Sequence, residues 1–341
     1  MENFRLDRLA KGLAIRVAVI GTAAIGLSLG TSGFADETAP ISEHVVPPTR
    51  TDSSIDPTLA DHYAWFNPDV SNHRLLVYLP GNSGVPKNAL LFQHRAAQLG
   101  YHVIGLAYET GNSLSRLCNT DPDPNSCFYD AHYEIVYGVD TSPKVDVGKS
   151  NSIVHLLTAF LRYLADAYPA EGWSRFLRDG SPRWSSIALS GLSQGAGNAA
   201  MIAKYSVVPR VVMLSGVTDA IPGPQSCQGS NDWLIDHRTP VARYWGLAHD
   251  RDPNYPAICR NWDSIGIGAL GPMVQVEASA PPFAGTHQLF TDLLPQTHDY
   301  ASAHPSTVAD IYTPLDTNGT PSLEKAWDYL LTAKAGDEAD D

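Results

Sequence analysis

The chain has 341 residues, 43% hydrophobic and 17% charged, which suits one large folded domain and excludes a mostly disordered chain. Acidic residues outnumber basic ones 36 to 23, for a formal charge of -13, and no lysine or arginine run appears in the body of the chain. This excludes nucleic acid as a partner class, because neutralising phosphates takes a clustered cationic face; the acidity otherwise reads as a solvated surface.

Residues 1–35 read as an export signal. Arg5, Arg8, Lys11 and Arg16 precede an uncharged run from Val17 to Gly30, and Gly33-Phe34-Ala35 offers small residues for cleavage after Ala35. The run is shorter and less apolar than the ~20 residues a spanning helix prefers, and no later segment is long and apolar enough to cross a bilayer. A soluble mature protein, secreted or periplasmic, is therefore expected. Residues 36–61 are polar and proline-bearing, and read as a loosely ordered lead-in to a domain over 62–333, with an acidic tail at 334–341.

Within the domain, short apolar runs alternate with helical patterns. Arg74 to Leu79 reads as a buried strand ended by the turn Pro80-Gly81-Asn82-Ser83-Gly84; residues 86–99 fit a helix stopped by Gly100, and His102 to Tyr108 is a second strand. The clearest helix spans Ser150 to Tyr168, where Ile153, Leu157, Phe160 and Leu164 form a core stripe before Pro169. Further strands are expected at 185–190, 210–215, 244–248 and 288–294, a short helix at Val308 to Ile311, and a closing helix around Leu323 to Leu331. This alternation predicts an α/β fold, a mostly parallel central sheet flanked by helices on both faces. Two long connections, 109–146 and Val217 to Arg243, are candidates for a small cap or the walls of a binding mouth.

Four cysteines, Cys118, Cys127, Cys227 and Cys259, fit an oxidising compartment and allow three pairings, of which the local pairs 118 with 127 and 227 with 259 are favoured. No Cys-x-x-Cys or companion histidine at ligand spacing is present, and no motif calls for a metal or cofactor. Oligomeric state leaves no mark in the sequence.

One motif carries chemistry. Gly191-Leu192-Ser193-Gln194-Gly195 matches Gly-x-Ser-x-Gly, and it falls between the strand expected at 185–190 and a small-residue helix from Ala196 to Ala203. A sharp strand-to-helix turn places its serine in a strained backbone region, and glycines on either side let neighbouring segments close in on it. The hydroxyl is thereby lifted above the sheet edge, and the helix N-terminus behind it favours negative charge nearby. A plain helix-capping serine in a glycine-rich turn is the bland alternative, and the strand before and helix after weigh against it.

On this elbow, the Leu79 to Gly84 turn after an early strand, and an Asp and a His downstream, the chain resembles the α/β-hydrolase family over about residues 70 to 332. The resemblance implies a secreted esterase- or lipase-like serine hydrolase in which Ser193 is the nucleophile, with partners in the order Ser, Asp or Glu, His. It implies an acid in the loop after the strand at 244–248, where Asp252, just before Pro253, fits best, with Asp250 the near rival and Asp219 a further option. It implies a base in the loop after the last strand, His304 in preference to His298, while His287 reads as structural, as does His249, whose place next to the acid loop leaves a supporting role open. Oxyanion donors follow as the backbone N-H of Gln194 and that of Asn82 or Ser83. A small-molecule acyl ester is then the expected substrate, cleaved through an acyl-enzyme. The same constellation would serve an acyltransferase or a peptidase, and a binding protein on a retired scaffold is the alternative from another class.

Overall fold

The computed structural model describes residues 41–221, 227 and 231–336; the expected export signal and the acidic end beyond Gly336 lie outside these residues. The described chain opens with β1 (Ser42–Val46) and β2 (His62–Phe66), an antiparallel pair, so the stretch expected to be a loose lead-in instead carries an edge strand and a short 3-10 turn at Pro48–Arg50. The polar composition there reflects alternation: Val46 is buried while Glu43 and Val45 face out, as befits a strand at the rim of a sheet.

β3 (Leu75–Leu79) is buried along its whole length, and α1 (Leu90–Gln98) then leads to β4 (His102–Gly105). The strand expected to reach Tyr108 stops at Gly105, because the next groups turn to other partners: the Ala107 N-H donates to His62 Nδ1 at 3.1 Å. The long connection that follows is helical, with α2 (Leu114–Cys118), α3 (Pro124–Tyr137) and α4 (Ile153–Ala167). Asp123 caps α3 by accepting from the Ser126 N-H, with Pro124 at its first position. A two-stranded ribbon of β5 (Leu177–Arg178) and β6 (Ser181–Pro182) precedes β7 (Ile187–Leu192) and α5 (Gln194–Tyr205).

β8 (Val211–Leu214), β9 (Tyr244–His249), α6 (Tyr255–Ile265), β10 (Val274–Gln275), β11 (Gln288–Thr291) and α7 (Glu324–Thr332) complete the chain. β11 ends early because the Thr291 hydroxyl accepts from the Leu293 N-H and bends the backbone out of the sheet. The helix expected at Val308 to Ile311 is not formed: a 3-10 turn over Pro305–Thr307 takes its place, begun by Pro305 and ended by Val308 at φ -159°.

Nine strands form one sheet in the order β1, β2, β4, β3, β7, β8, β9, β11, β10, and only β2 runs against the rest. Alternate residues of the central strands feed two cores. Leu75, Val77, Leu189 and Met213 pack with α3, α4 and α5 on one face; Leu76, Tyr78, Val212 and Trp245 pack with α1 and α7 on the other. The strand order reverses between β3 and β7, and the helices leaving these strands diverge to opposite faces. A crevice is therefore left at their carboxyl ends, the position where open α/β sheets hold ligands.

Both expected disulfides are present. Cys118 joins Cys127 across nine residues, tying α2 to α3, and Cys227 joins Cys259 across 32, tying a connection after β8 to α6. Among the described residues no helix is long and apolar enough to cross a membrane.

Candidate active site

Ser193 sits between β7 and α5 with φ 57° and ψ -119°, a left-handed conformation that costs a non-glycine residue of order 1–3 kcal/mol. The surroundings hold it there. Its N-H donates to the Leu214 carbonyl at 2.9 Å, and glycines let the neighbouring backbones crowd in: a Cβ on Gly195 would stand 2.2 Å from the Leu79 carbonyl oxygen, and one on Gly191 2.3 Å from the Gly195 carbonyl carbon. The strain expected from the sequence motif is thus present, with the packing that maintains it.

The turn after β3 lies alongside. Ser83 also has positive φ, and its N-H donates to the Thr110 carbonyl at 2.8 Å, which removes it as a donor to anything else. Of the two alternatives in this turn, Asn82 remains. The Asn82 side chain is itself held, with Nδ2 donating to the same Thr110 carbonyl at 2.7 Å, while the Thr110 hydroxyl donates to the Gly84 carbonyl at 2.9 Å. On the elbow side, the Gln194 N-H belongs to the first turn of α5, where no helical carbonyl is available to it. The Gln194 side chain is buried and accepts from the Leu114 N-H at 3.0 Å, so α2 is hung from the elbow.

Asp252 and His304 arrive from loops after β9 and β11. His304 Nδ1 lies 2.6 Å from Asp252 Oδ2, and the carboxylate is fully buried. A carboxylate only accepts, so Nδ1 carries the proton and Nε2 keeps its lone pair free. The other oxygen, Oδ1, accepts from both the backbone N-H of Asn254 at 2.8 Å and its side-chain Nδ2 at 3.0 Å. Ser193 and His304 line one cavity of about 410 Å³, together with Asn82, Gln194, Thr218 and Asn254. An imidazole so oriented, sharing a cavity with a strained serine, is the arrangement that lets a base take a hydroxyl proton.

No protein-family model matches this chain, and no curated protein does.

The remaining candidates fall elsewhere. Asp250 stands beside His249 and Arg251, at 3.4 and 3.7 Å, and His298 is exposed in the loop after β11 with its N-H on the Pro295 carbonyl. Neither touches the Asp252 and His304 pair. Asp219 is engaged with a different histidine: its carboxylate lies 3.2 Å from His132 Nε2 and accepts from Trp233 Nε1 at 3.0 Å. His249 is wholly buried, accepting from the Arg251 N-H at Nδ1 and donating from Nε2 to the Leu293 carbonyl, so it pins the acid loop to the segment after β11. His287 stacks on Trp245 with ring centroids 3.6 Å apart, and burial lowers its pKa.

Of the two long connections, 109–146 supplies Ser113 and Ser115 to the cavity wall and Val217 to Arg243 supplies Thr218, while Trp233 turns into the core. The sequence reading missed a buried polar chain behind the elbow. His132 Nδ1 faces Asn198 Oδ1 at 2.6 Å, Asn198 Nδ2 donates to the Tyr108 hydroxyl at 3.1 Å, and that hydroxyl donates to the Pro80 carbonyl at 2.5 Å. Burial pushes the Tyr108 phenol up, which keeps it a donor to this turn. The residues involved are scattered over four segments, and only Gly197, whose added Cβ would meet the His132 ring at 2.5 Å, hints in the sequence that something packs there. Among the described residues no three His, Cys, Asp or Glu side chains converge as a metal-ligand set.

Proposed function

We propose that this chain is an exported serine hydrolase of the α/β-hydrolase type that cleaves carboxylic esters through an acyl-enzyme. The reading is carried by one observation: a strained serine at a strand-to-helix elbow shares a cavity with an imidazole whose other nitrogen is bound to a buried carboxylate. The order Ser193, Asp252, His304 along the chain, and their places after β7, β9 and β11, support the same family assignment. Two disulfides among the described residues agree with an oxidising destination.

In this mechanism the Ser193 Oγ attacks the ester carbonyl carbon while His304 Nε2 takes its proton. Asp252 holds Nδ1-H and stabilises the cation that forms. The carbonyl electron pair moves onto its oxygen, which the N-H groups of Asn82 and Gln194 receive, an effect worth roughly 10²–10³ in rate per donor in comparable sites. Collapse expels the alcohol, which leaves with the proton from His304. Water, deprotonated by the same imidazole, then releases the acid and restores Ser193.

A fluorophosphonate probe tests the assignment directly. Wild type is expected to be labelled stoichiometrically and Ser193→Ala not at all; equal uptake by both would remove Ser193 as the nucleophile.

A further inference from the structure

We infer that the site takes a neutral ester with two unlike halves, an apolar acyl group and a hydroxyl-bearing alcohol, an assignment that rests on the ester-hydrolase reading above. Two cavities of about 410 Å³ each meet at Gly81, Asn82, Leu192 and Pro305, beside the serine and the oxyanion turn. Both are within the size range of small-molecule sites. Their walls differ in kind.

The cavity that holds Ser193 and His304 is walled by Ser113, Ser115, Thr218 and Asn254, hydroxyls and amides contributed by three separate segments. Among the described residues no Lys, Arg, Asp or Glu lines it. A charged group entering here would lose water without gaining a counter-charge, whereas hydroxyls would find both donors and acceptors. The second cavity has Asn82, Ser83 and Asn88 on the side of the turn after β3, and its remaining wall is built mainly of Tyr78, Val85, Ala309, Ile311 and Tyr312. Its one acidic and one basic side chain do not set its character: the Asp310 carboxylate accepts from the N-H groups of Leu90 and Leu91 at the start of α1, and Lys87 is exposed. Ile311 is 68% exposed, an apolar side chain left in water at the edge of a cleft that a ligand would cover.

His304 decides which half goes where. It lines the hydroxyl-rich cavity and not the apolar one. When the C-O bond to the alcohol breaks, the bonding pair leaves with that oxygen, and the proton on Nε2 follows it. The leaving oxygen must therefore lie beside His304, with the rest of the alcohol among Ser113, Ser115 and Thr218. The acyl chain, still bonded to Ser193 Oγ, is left to run past Leu192 into the apolar cavity.

The test measures kcat/KM for glycerol monobutyrate against propyl butyrate, and for glycerol esters of acetate, butyrate and hexanoate, with fluorophosphonate labelling in parallel. The glycerol ester should exceed the propyl ester by about tenfold, and the acyl series should rise about tenfold from acetate to hexanoate, of the order that added methylenes or satisfied polar groups supply. Ser115→Val should abolish the first preference and keep the second; Ile311→Ser should do the reverse, both variants still taking up probe. Equal or inverted preferences in labelled wild-type protein would sink the subsite assignment and leave the hydrolase standing. Loss of labelling at Ser193 would take both away.

Discussion

Replacing Asp252 by Asn is the sharpest perturbation this site allows, because shape is kept and only the direction of two hydrogen bonds is at stake. At the Oδ1 position the incoming side chain meets two donors, the Asn254 N-H at 2.8 Å and Nδ2 at 3.0 Å. An amide nitrogen placed there would face both, so the amide oxygen takes that position and the NH₂ is turned toward His304. It then confronts Nδ1 across the 2.6 Å contact that the carboxylate had filled. The imidazole answers by moving its proton to Nε2, the nitrogen that must be bare to accept from Ser193. Loss of the base tautomer with geometry kept costs roughly 10⁴ in kcat, or about 5.5 kcal/mol of barrier, in triads of this kind. Stability should fall by only about 1–2 kcal/mol, because Oδ1 keeps its donors. Hydrolysis of a p-nitrophenyl ester together with urea unfolding of the same preparation separates the two effects. A variant retaining more than a tenth of wild-type kcat/KM, folded normally, would refute the tautomer argument.

Other consequences can be checked independently. Gly195→Ala should cost about 3 kcal/mol in urea unfolding, since its Cβ would be driven against the backbone carbonyl of Leu79 at 2.2 Å rather than a movable side chain; an unchanged midpoint would show that the elbow relaxes freely. Asp219→Ala should lower the melting temperature by leaving His132 Nε2 and Trp233 Nε1 without their acceptor in the interior, a loss of about 1–3 kcal/mol for each orphaned group, while folded protein still takes up the fluorophosphonate probe. If instead it folds normally and loses about 10⁴ in kcat, the acid has been misassigned. Burial lowers the His62 pKa to about 3, so between pH 6.5 and 3 the unfolded chain binds a proton that the folded one does not, and stability falls with falling pH. This group alone should remove about 2 kcal/mol between pH 7 and pH 5, read from urea midpoints; His62→Asn, which keeps an acceptor for the Ala107 N-H, should lessen that slope, and an unaltered slope would exclude His62 as its source.

The sheet was legible wherever burial is uniform. β3, β7, β8 and β9 are apolar runs because both faces are covered, and the elbow could be located from the strand before it and the small-residue helix after it. Signals failed where one face is open. β1 and β2 carry Glu43, His44 and His62 among their apolar residues, and their composition resembles a loop more than a strand; what makes them strands is the pairing of β2 with β4 and of β1 with β2, the former a long-range fact. α3 leaves no distinct trace in the sequence although Asp123-Pro124 suits a helix start, because aspartate and proline equally mark turns. At the site, Asp252 and His304 follow from family likeness, and the structure brings those two together while sending Asp250 and Asp219 to other histidines. Asn254, which orients the carboxylate, and the chain from His132 to Pro80 could not be read from sequence. Each contact joins segments far apart in the chain, and neither charge pattern nor periodicity records such meetings.

The anchoring of the turn from Pro80 to Gly84 bears on how a ligand is received. Its backbone is fastened at Pro80 by the Tyr108 hydroxyl, at Ser83 by the Thr110 carbonyl and at Gly84 by the Thr110 hydroxyl, and all three fasteners come from the few residues after β4. A donor mounted on such a frame does not have to swing into position when a carbonyl arrives. On the proposed mechanism, encounter and productive alignment should then coincide in one kinetic phase. The same economy concentrates vulnerability: a change confined to residues 108–110 would loosen the whole receiving surface without altering any group that touches the ligand.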